Sequence, residues 1–389
     1  MDGTRDMPLH YGLTAEQQLL RDSVRRLLDA RSPVSALRAR RDQAGPGGFS
    51  GALWAEAVEL GWSGILIPEA LGGVQLGFTA AALIAEECGR TLAALPFLSS
   101  AVLAVTALLQ CGSQPQQRAL LPRIATGECL LALAVDERAR HAPQKIDTFA
   151  VPEHGGYRLR GEKIFVLDGS VAHHLIVSAR VGSAEQGAEA PIGLFLLDVT
   201  DARIEIDATS TMDSRSAADI RFLDVRLGQE SLLGGGTGQG AAALERTLDA
   251  ARALLAAELV GMGRECLRRT VEYLGERRQF GRRIGEFQAL QHRLAHLYCE
   301  LELATSLVRA ASAALETPAA DPRVLVSAAK AKCAEAALLA ASEAVQMHGG
   351  IGMTDELDIG LFVKRIRCAS ETFGDIAFHR DRLATLHGF

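Results

Sequence analysis

Catalysis and ligand capture need acids, bases, nucleophiles or grouped donors, and only a few stretches of this chain gather such residues. Seven cysteines, Cys88, Cys111, Cys129, Cys266, Cys299, Cys333 and Cys368, lie far apart with no CxxC pair, which suits neither a zinc site nor a dithiol redox centre. His292, His348 and His379 stand on separate segments without carboxylates at ligand spacing, so structural roles suit them better than metal binding or a proton relay. Glycines 234, 235, 236, 238 and 240 would form a phosphate loop only within a βαβ unit; without one they read as a connector. Two clusters remain, Arg277-Arg278 and Gly349-Gly350. A guanidinium fork matches paired phosphate oxygens, and glycine lets a ligand approach the backbone. The plain alternative is a solvated pair of helix-end charges and a helix break.

These groups must be positioned by a chain of 389 residues, 48% hydrophobic, which is long enough for two or three domains. No uninterrupted apolar run of about 18 residues occurs, which argues against a membrane span. The formal net charge of −6 argues against a nucleic-acid partner, because counterion release needs a basic face. Met1 to His10 carry Asp2, Arg5 and Asp6 in place of a basic stretch and an apolar core, so no secretory leader is expected. The scattered cysteines fit a reducing cytoplasm.

Helical spacing begins after Leu13, with Thr14 and Gln17 placed as a capping box. It continues around Trp54 to Leu60, Ala80 to Cys88, Ser100 to Leu109 and Gln117 to Ala125. The texture then changes. Short segments at Cys129 to Val135, Tyr157 to Leu159, Phe165 to Leu167, His174 to Ala179, Gly193 to Val199 and Arg203 to Ile206 predict an antiparallel sheet or barrel. Long helices resume as Ala241 to Tyr273, Gly285 to Glu316, Pro322 to Met347 and Ile359 to Thr385, enough for a bundle. The expected fold is mainly α with a central β-domain: a helical domain over 1–128, a middle β-barrel or sandwich over 129–232 and a four-helix bundle over 233–389.

The runs ERRQFGRRIGEFQ from Glu276 and QMHGGIGMTDE from Gln346, with GWSG from Gly61 and PEALGG from Pro68, resemble the acyl-CoA dehydrogenase family along nearly the whole chain. That resemblance implies the same three-part fold, usually a tetramer, with FAD shared between the middle domain of one subunit and the bundle of its neighbour. It assigns Arg277 to the pyrophosphate, Phe280 to ring packing beside it, and Gln346, Gly349 and Gly350 to the adenosine side. No metal is expected.

The half of the site that should hold a subunit's own flavin ring departs from the family pattern. Asp136-Glu137-Arg138 replaces a Thr-Glu-Pro run, and Phe165-Val166-Leu167 replaces Trp-Ile-Thr. Leu167 offers no side-chain hydrogen bond, and a carboxylate at Asp136 would oppose an anionic reduced ring. The family's usual glutamate base falls at Phe373, and the position used by a subgroup falls at Ala251. Of the nearby acids Glu371, Asp375, Glu245, Asp249 and Glu258, Asp375 is the least implausible base, with a cap or salt bridge as its alternative. Glu258 is expected to pair with a bundle arginine.

The resemblance therefore extends to the small, base-lacking subunit of heteromeric bacterial enzymes such as pimeloyl-CoA dehydrogenase. Such a subunit would desaturate an acyl-CoA together with a partner acyl-CoA dehydrogenase subunit in a heterotetramer, with a homo-oligomer as the alternative assembly, passing electrons to an electron-transfer flavoprotein. The alternatives are a flavin-dependent monooxygenase on the same scaffold and a non-catalytic structural subunit.

Overall fold

The computed structural model of the chain describes residues 12–42, 48–236, 238–317 and 320–389. The residues read above for a leader lie outside them. The first described helix, α1 (Ala15–Arg31), starts on the expected capping box: Gln17 N–H donates to Thr14 Oγ1 at 3.2 Å and Thr14 N–H to Gln17 Oε1 at 3.1 Å. Then follow α2 (Val34–Arg41), α3 (Gly51–Glu59), α4 (Gly77–Thr91), a buried π-helical stretch at Phe97–Ala104, α5 (Val105–Cys111) and α6 (Gln114–Ala125). Helix α2 was not apparent in the spacing, because only Val34 and Leu37 are buried and three arginines fill its last turn.

The middle of the chain is one curled sheet: β1 (Leu131–Ala134), β2 (Phe149–Glu153), β3 (Gly156–Leu167), β4 (His174–Val181), β5 (Ile192–Asp198), β6 (Ile204–Ser210) and β7 (Ser216–Gly228). Its order is β1-β4-β2-β3-β7-β6, with β5 also on β4. The sheet is mixed, not antiparallel throughout, since β1 and β2 both run parallel to β4. Tyr157–Leu159 and Phe165–Leu167 are two ends of a single strand, and β2 and β7 are strands the spacing missed.

Helix α7 (Gly240–Glu276) carries the C-terminal part, flanked by a two-stranded hairpin, β8 (Arg278–Gln279) and β9 (Arg282–Arg283), then α8 (Gln288–Glu316) and α9 (Arg323–His348). Alanines let α7 lie between α4 and α9. At the α4–α7 crossing two glycines each meet the backbone of the other helix: a Cβ on Gly261 would stand 1.9 Å from Glu86 O, and one on Gly89 2.1 Å from Glu258 O. Gly261→Ala is therefore expected to lower stability by about 2–3 kcal/mol, since two helix backbones must separate; the midpoint of chemical denaturation measures it.

The last expected helix is in fact two, α10 (Ile359–Glu371) and α11 (Ile376–Leu386). Phe373 at φ 54° and Gly374 at φ 111° turn the chain between them. A phenylalanine in the left-handed region costs roughly 1–3 kcal/mol and persists only where its surroundings hold it. No described helix is long and apolar enough to cross a membrane.

Candidate functional site

A cavity of about 390 Å³ opens where the end of β3 and the start of β7 face the C-terminal end of α10. Asp136, His141, Leu167, Arg215, Glu371 and Phe373 are among its walls. The strained turn at Phe373 is gripped from beneath. Arg252, fully buried on α7, donates from Nε to Phe373 O at 3.1 Å, and Lys330 Nζ on α9 donates to Ser370 O and Gly374 O at 3.0 and 3.1 Å. Burial pushes the Lys330 ammonium down to about 7. A neutral amine has two N–H groups, one for each carbonyl.

Arg252 also ties the cavity wall to the bundle. Its Nη1 donates to Glu245 Oε1 and Asp249 Oδ1, each at 3.0 Å, and its Nη2 lies 3.1 Å from His141 Nε2. Since an arginine can only donate, His141 accepts at Nε2 and carries its proton on Nδ1, which stands 2.9 Å from both Asp136 oxygens. Burial holds the His141 imidazole below its usual range. The Asp136 carboxylate, expected to oppose an anionic reduced ring, thus has a partner in His141. The rings of Phe373 and Phe378 meet His141 edge to face at 5.9 and 5.1 Å.

Neither base position offers an acid. Phe373 is buried with its ring on His141, and Ala251 is fully buried. Asp375 caps α11, its Oδ1 accepting the Phe378 N–H at 2.7 Å, and it is absent from the cavity wall. Glu371 pairs with Arg367 at 3.4 Å, and Glu245 and Asp249 are engaged by Arg252 and Arg382. Glu258, expected to pair with a bundle arginine, binds Arg215, which precedes β7, at 2.7 Å, with the bundle's Arg365 farther off at 3.6 Å.

The arginine and glycine motifs lie elsewhere, and none of their residues lines the cavity. Arg277 ends α7, its N–H donating to Tyr273 O at 2.8 Å. Phe280 tips the β8–β9 hairpin at φ 53° and is 89% exposed. Gln346, Gly349 and Gly350 end α9 on the surface, with nothing within 4 Å of a Cβ built on either glycine. The two segments are joined where the Tyr273 ring stacks on His348 at 4.5 Å and its hydroxyl donates to His348 O. Among the described residues the Arg277 guanidinium has no ion-pair partner, so its donors are available to an anion of paired oxygens. Leu167, on the cavity side, has no such donor.

Arg252, His141, Lys330 and Arg215 escaped the sequence reading. A signal existed for two of them: Arg252 and Lys330 interrupt alanine-rich runs, and a charge inside an apolar helix face must be paired. No group of three or more His, Cys, Asp or Glu among the described residues is placed to hold a metal. Cys299 is exposed on α8 and Cys368 is half-buried at the cavity, while the other five thiols are buried. Burial pushes Cys266 up to about 12 and Cys368 to about 11.

A helical domain, a curled sheet and a helical bundle around one interdomain cavity define the architecture of acyl-CoA dehydrogenases. Residues 14–128 match the acyl-CoA dehydrogenase N-terminal domain and residues 238–386 the C-terminal domain. The chain belongs to the acyl-CoA dehydrogenase family. It is 33% identical to acyl-CoA dehydrogenase IpdE2 of Mycobacterium tuberculosis over 353 residues, covering 90% of each chain. Among solved structures, a variant of the Tcur3481-Tcur3483 steroid ACAD matches with a TM-score of 0.85 at 31% identity, over 96% of this chain and 97% of that one. The ChsE4-ChsE5 complex from Mycobacterium tuberculosis matches with a TM-score of 0.86 at 25% identity, over 97% and 99%.

Proposed function

We propose that this chain is one subunit of an FAD-dependent acyl-CoA dehydrogenase, completed by a second subunit that bears the base. On this proposal Arg277, Phe280, Gln346, Gly349 and Gly350 hold the diphosphate and adenosine side of a cofactor seated mainly on that partner. One observation carries the reading: among the described residues an exposed arginine without an ion pair coexists with Phe373 in the cavity wall and Ala251 buried within α7 at the two positions where a base was expected. Two of the matched solved structures bear names of two components, which supports a heteromer over a homo-oligomer. When bound, FAD supplies the acceptor for the β-hydride of an acyl-CoA. This chain's part is to grip the anionic end and to close one wall of the cavity around Phe373, while the partner's carboxylate takes the α-proton. Electron-transfer flavoprotein as acceptor and a cytoplasmic setting belong to the same proposal.

The test is co-expression with an adjacent family member. Arg277→Ala is expected to weaken flavin binding by the complex by about 10- to 100-fold, the worth of a charged hydrogen bond to phosphate, with circular dichroism unchanged because the side chain is exposed. Phe373→Glu in the lone chain is expected to give no acyl-CoA oxidation. One FAD bound per chain by this protein alone, with full turnover, would overturn the proposal.

A further inference from the structure

Helix α2 ends in arginines, and two of them cross to the segment that follows Gly349 and Gly350. Arg41 holds Asp355 with both ends of its fork, Nη1 donating to Oδ1 at 2.6 Å and Nη2 to Oδ2 at 2.7 Å. Arg38 Nη1 donates to the same carboxylate at 2.8 Å and to the Asp355 carbonyl at 2.6 Å, so main chain and side chain are both held. Its Nη2 donates to Asp358 Oδ1 at 2.9 Å, and Asp358 Oδ2 accepts from Arg269 of α7, also at 2.9 Å. A single exposed ion pair adds little to a fold, but here one arginine is bidentate and the two carboxylates are shared among three guanidiniums. Asp355 is 65% exposed at its side chain, whereas Arg38 and Arg41 are 24% and 23% exposed, so solvent screens the contact only in part.

The chain on the N-terminal side of this clamp is rich in glycine: Gly349, Gly350 and Gly352 make three of the four residues that follow α9. Gly349 stands at φ 66° and ψ −145°, and nothing lies within 4 Å of a Cβ built on it or on Gly350. Glycines lose more freedom than other residues when they are fixed, so the two ends of such a segment decide how well it is ordered. Its entry is tied by the Tyr273 hydroxyl on His348 O, and its exit is tied by the arginines of α2. We infer that Arg38 and Arg41 are positioning residues, which fix the exit of the Gly349–Met353 segment and so set its backbone in advance for the cofactor's adenosine end. In its bearing on the cofactor the inference rests on the subunit reading above; the hold of α2 on the segment does not. A segment ordered before binding spares the cofactor the cost of ordering it.

Hydrogen exchange on the full-length chain, without flavin or partner, reads the clamp directly. Two amides report on the segment: Gly349 N–H, which donates to Gln346 O, and Thr354 N–H, which donates to Ile351 O at 3.1 Å. Arg38→Gln with Arg41→Gln is expected to quicken exchange at both by about three- to tenfold, the worth of one or two such pairs, while amides of the central sheet keep their wild-type rates. Asp355→Asn should act in the same direction and add little to Arg41→Gln, because both remove one contact; Arg41→Lys, with the charge but not the fork, should fall between. In the complex with the adjacent family member, the double glutamine variant is expected to bind FAD about three- to tenfold more weakly, and Arg41→Lys to recover part of that. Wild-type exchange at both amides overturns the inference, and so does exchange that quickens equally in the sheet, which marks a general loss of stability. Wild-type FAD affinity in the clamp variants overturns it as well. If Arg277→Ala is weakened in that same assay, the subunit reading stands without the inference; if Arg277→Ala is also unaffected, both fall. Should the double variant fail to fold, Arg41→Lys and Asp355→Asn carry the same comparison singly.

Discussion

Replacing Arg252 by methionine is expected to lower the unfolding free energy by about 3–5 kcal/mol, the range for breaking a buried ion pair by removing one partner. Asp249 is 1% exposed at its side chain and would keep only Arg382, while Glu245, His141 and the Phe373 carbonyl would each lose a donor. The left-handed turn at Phe373 would then keep Lys330 as its one buried side-chain donor among those described. Arg252→Lys retains the charge but not the fork, and should fall between the two. Adding Asp249→Asn to Arg252→Met should recover part of the loss, because the stranded charge goes with it. Urea midpoints of the three variants measure this; a wild-type midpoint in Arg252→Met would remove Arg252 from its supporting role.

Acid is expected to destabilise the protein through His379. This imidazole is fully buried on α11, neither ring nitrogen has a hydrogen-bond partner, and burial pushes it down to about 2. Arg252 from α7 and Arg382 on α11 carry the sign that a proton on His379 would add, and Lys330 from α9 and His141 would oppose it as well wherever they are protonated. Below about pH 6.5 the unfolded chain binds a proton that the folded chain refuses, so stability rises with pH between about 2 and 6.5 and falls as acid is added. At about 1.4 kcal/mol per pH unit, His379 should account for roughly 2–3 kcal/mol lost between about pH 6 and pH 4. His379→Leu should flatten that part of the profile while leaving the contributions of His141 and the paired carboxylates. Parallel pH profiles of the thermal midpoint for the two proteins would refute the assignment.

The elements most legible in the sequence were those fixed by local chemistry. Thr14 and Gln17 cap α1 because their spacing alone satisfies two helix-end donors, and the long alanine-rich helices follow from periodicity. Strand β7 was hidden because its alternation slips at Leu223 and Asp224, two exposed residues in a row with Asp224 at φ 55°, so no unbroken period of two runs its length. Parallel pairing of β1 with β4 is a tertiary choice that no local pattern encodes. The break between α10 and α11 falls at a phenylalanine, a residue that ordinarily avoids left-handed backbone; the cause lies far away in sequence, in Arg252 and Lys330. The arginine and glycine motifs were visible as motifs, yet their separation from the cavity could be seen only in the folded chain.

The distribution of thiols offers a practical route to watching assembly. With five of seven sulfhydryls sealed in the interior, a maleimide dye should attach fastest to Cys299 on the outward side of α8. Slow attachment at Cys368 would report separately on traffic into the cavity. A fluorophore at the first position would test whether the partner proposed above covers that helix, with no residue of the proposed flavin grip altered.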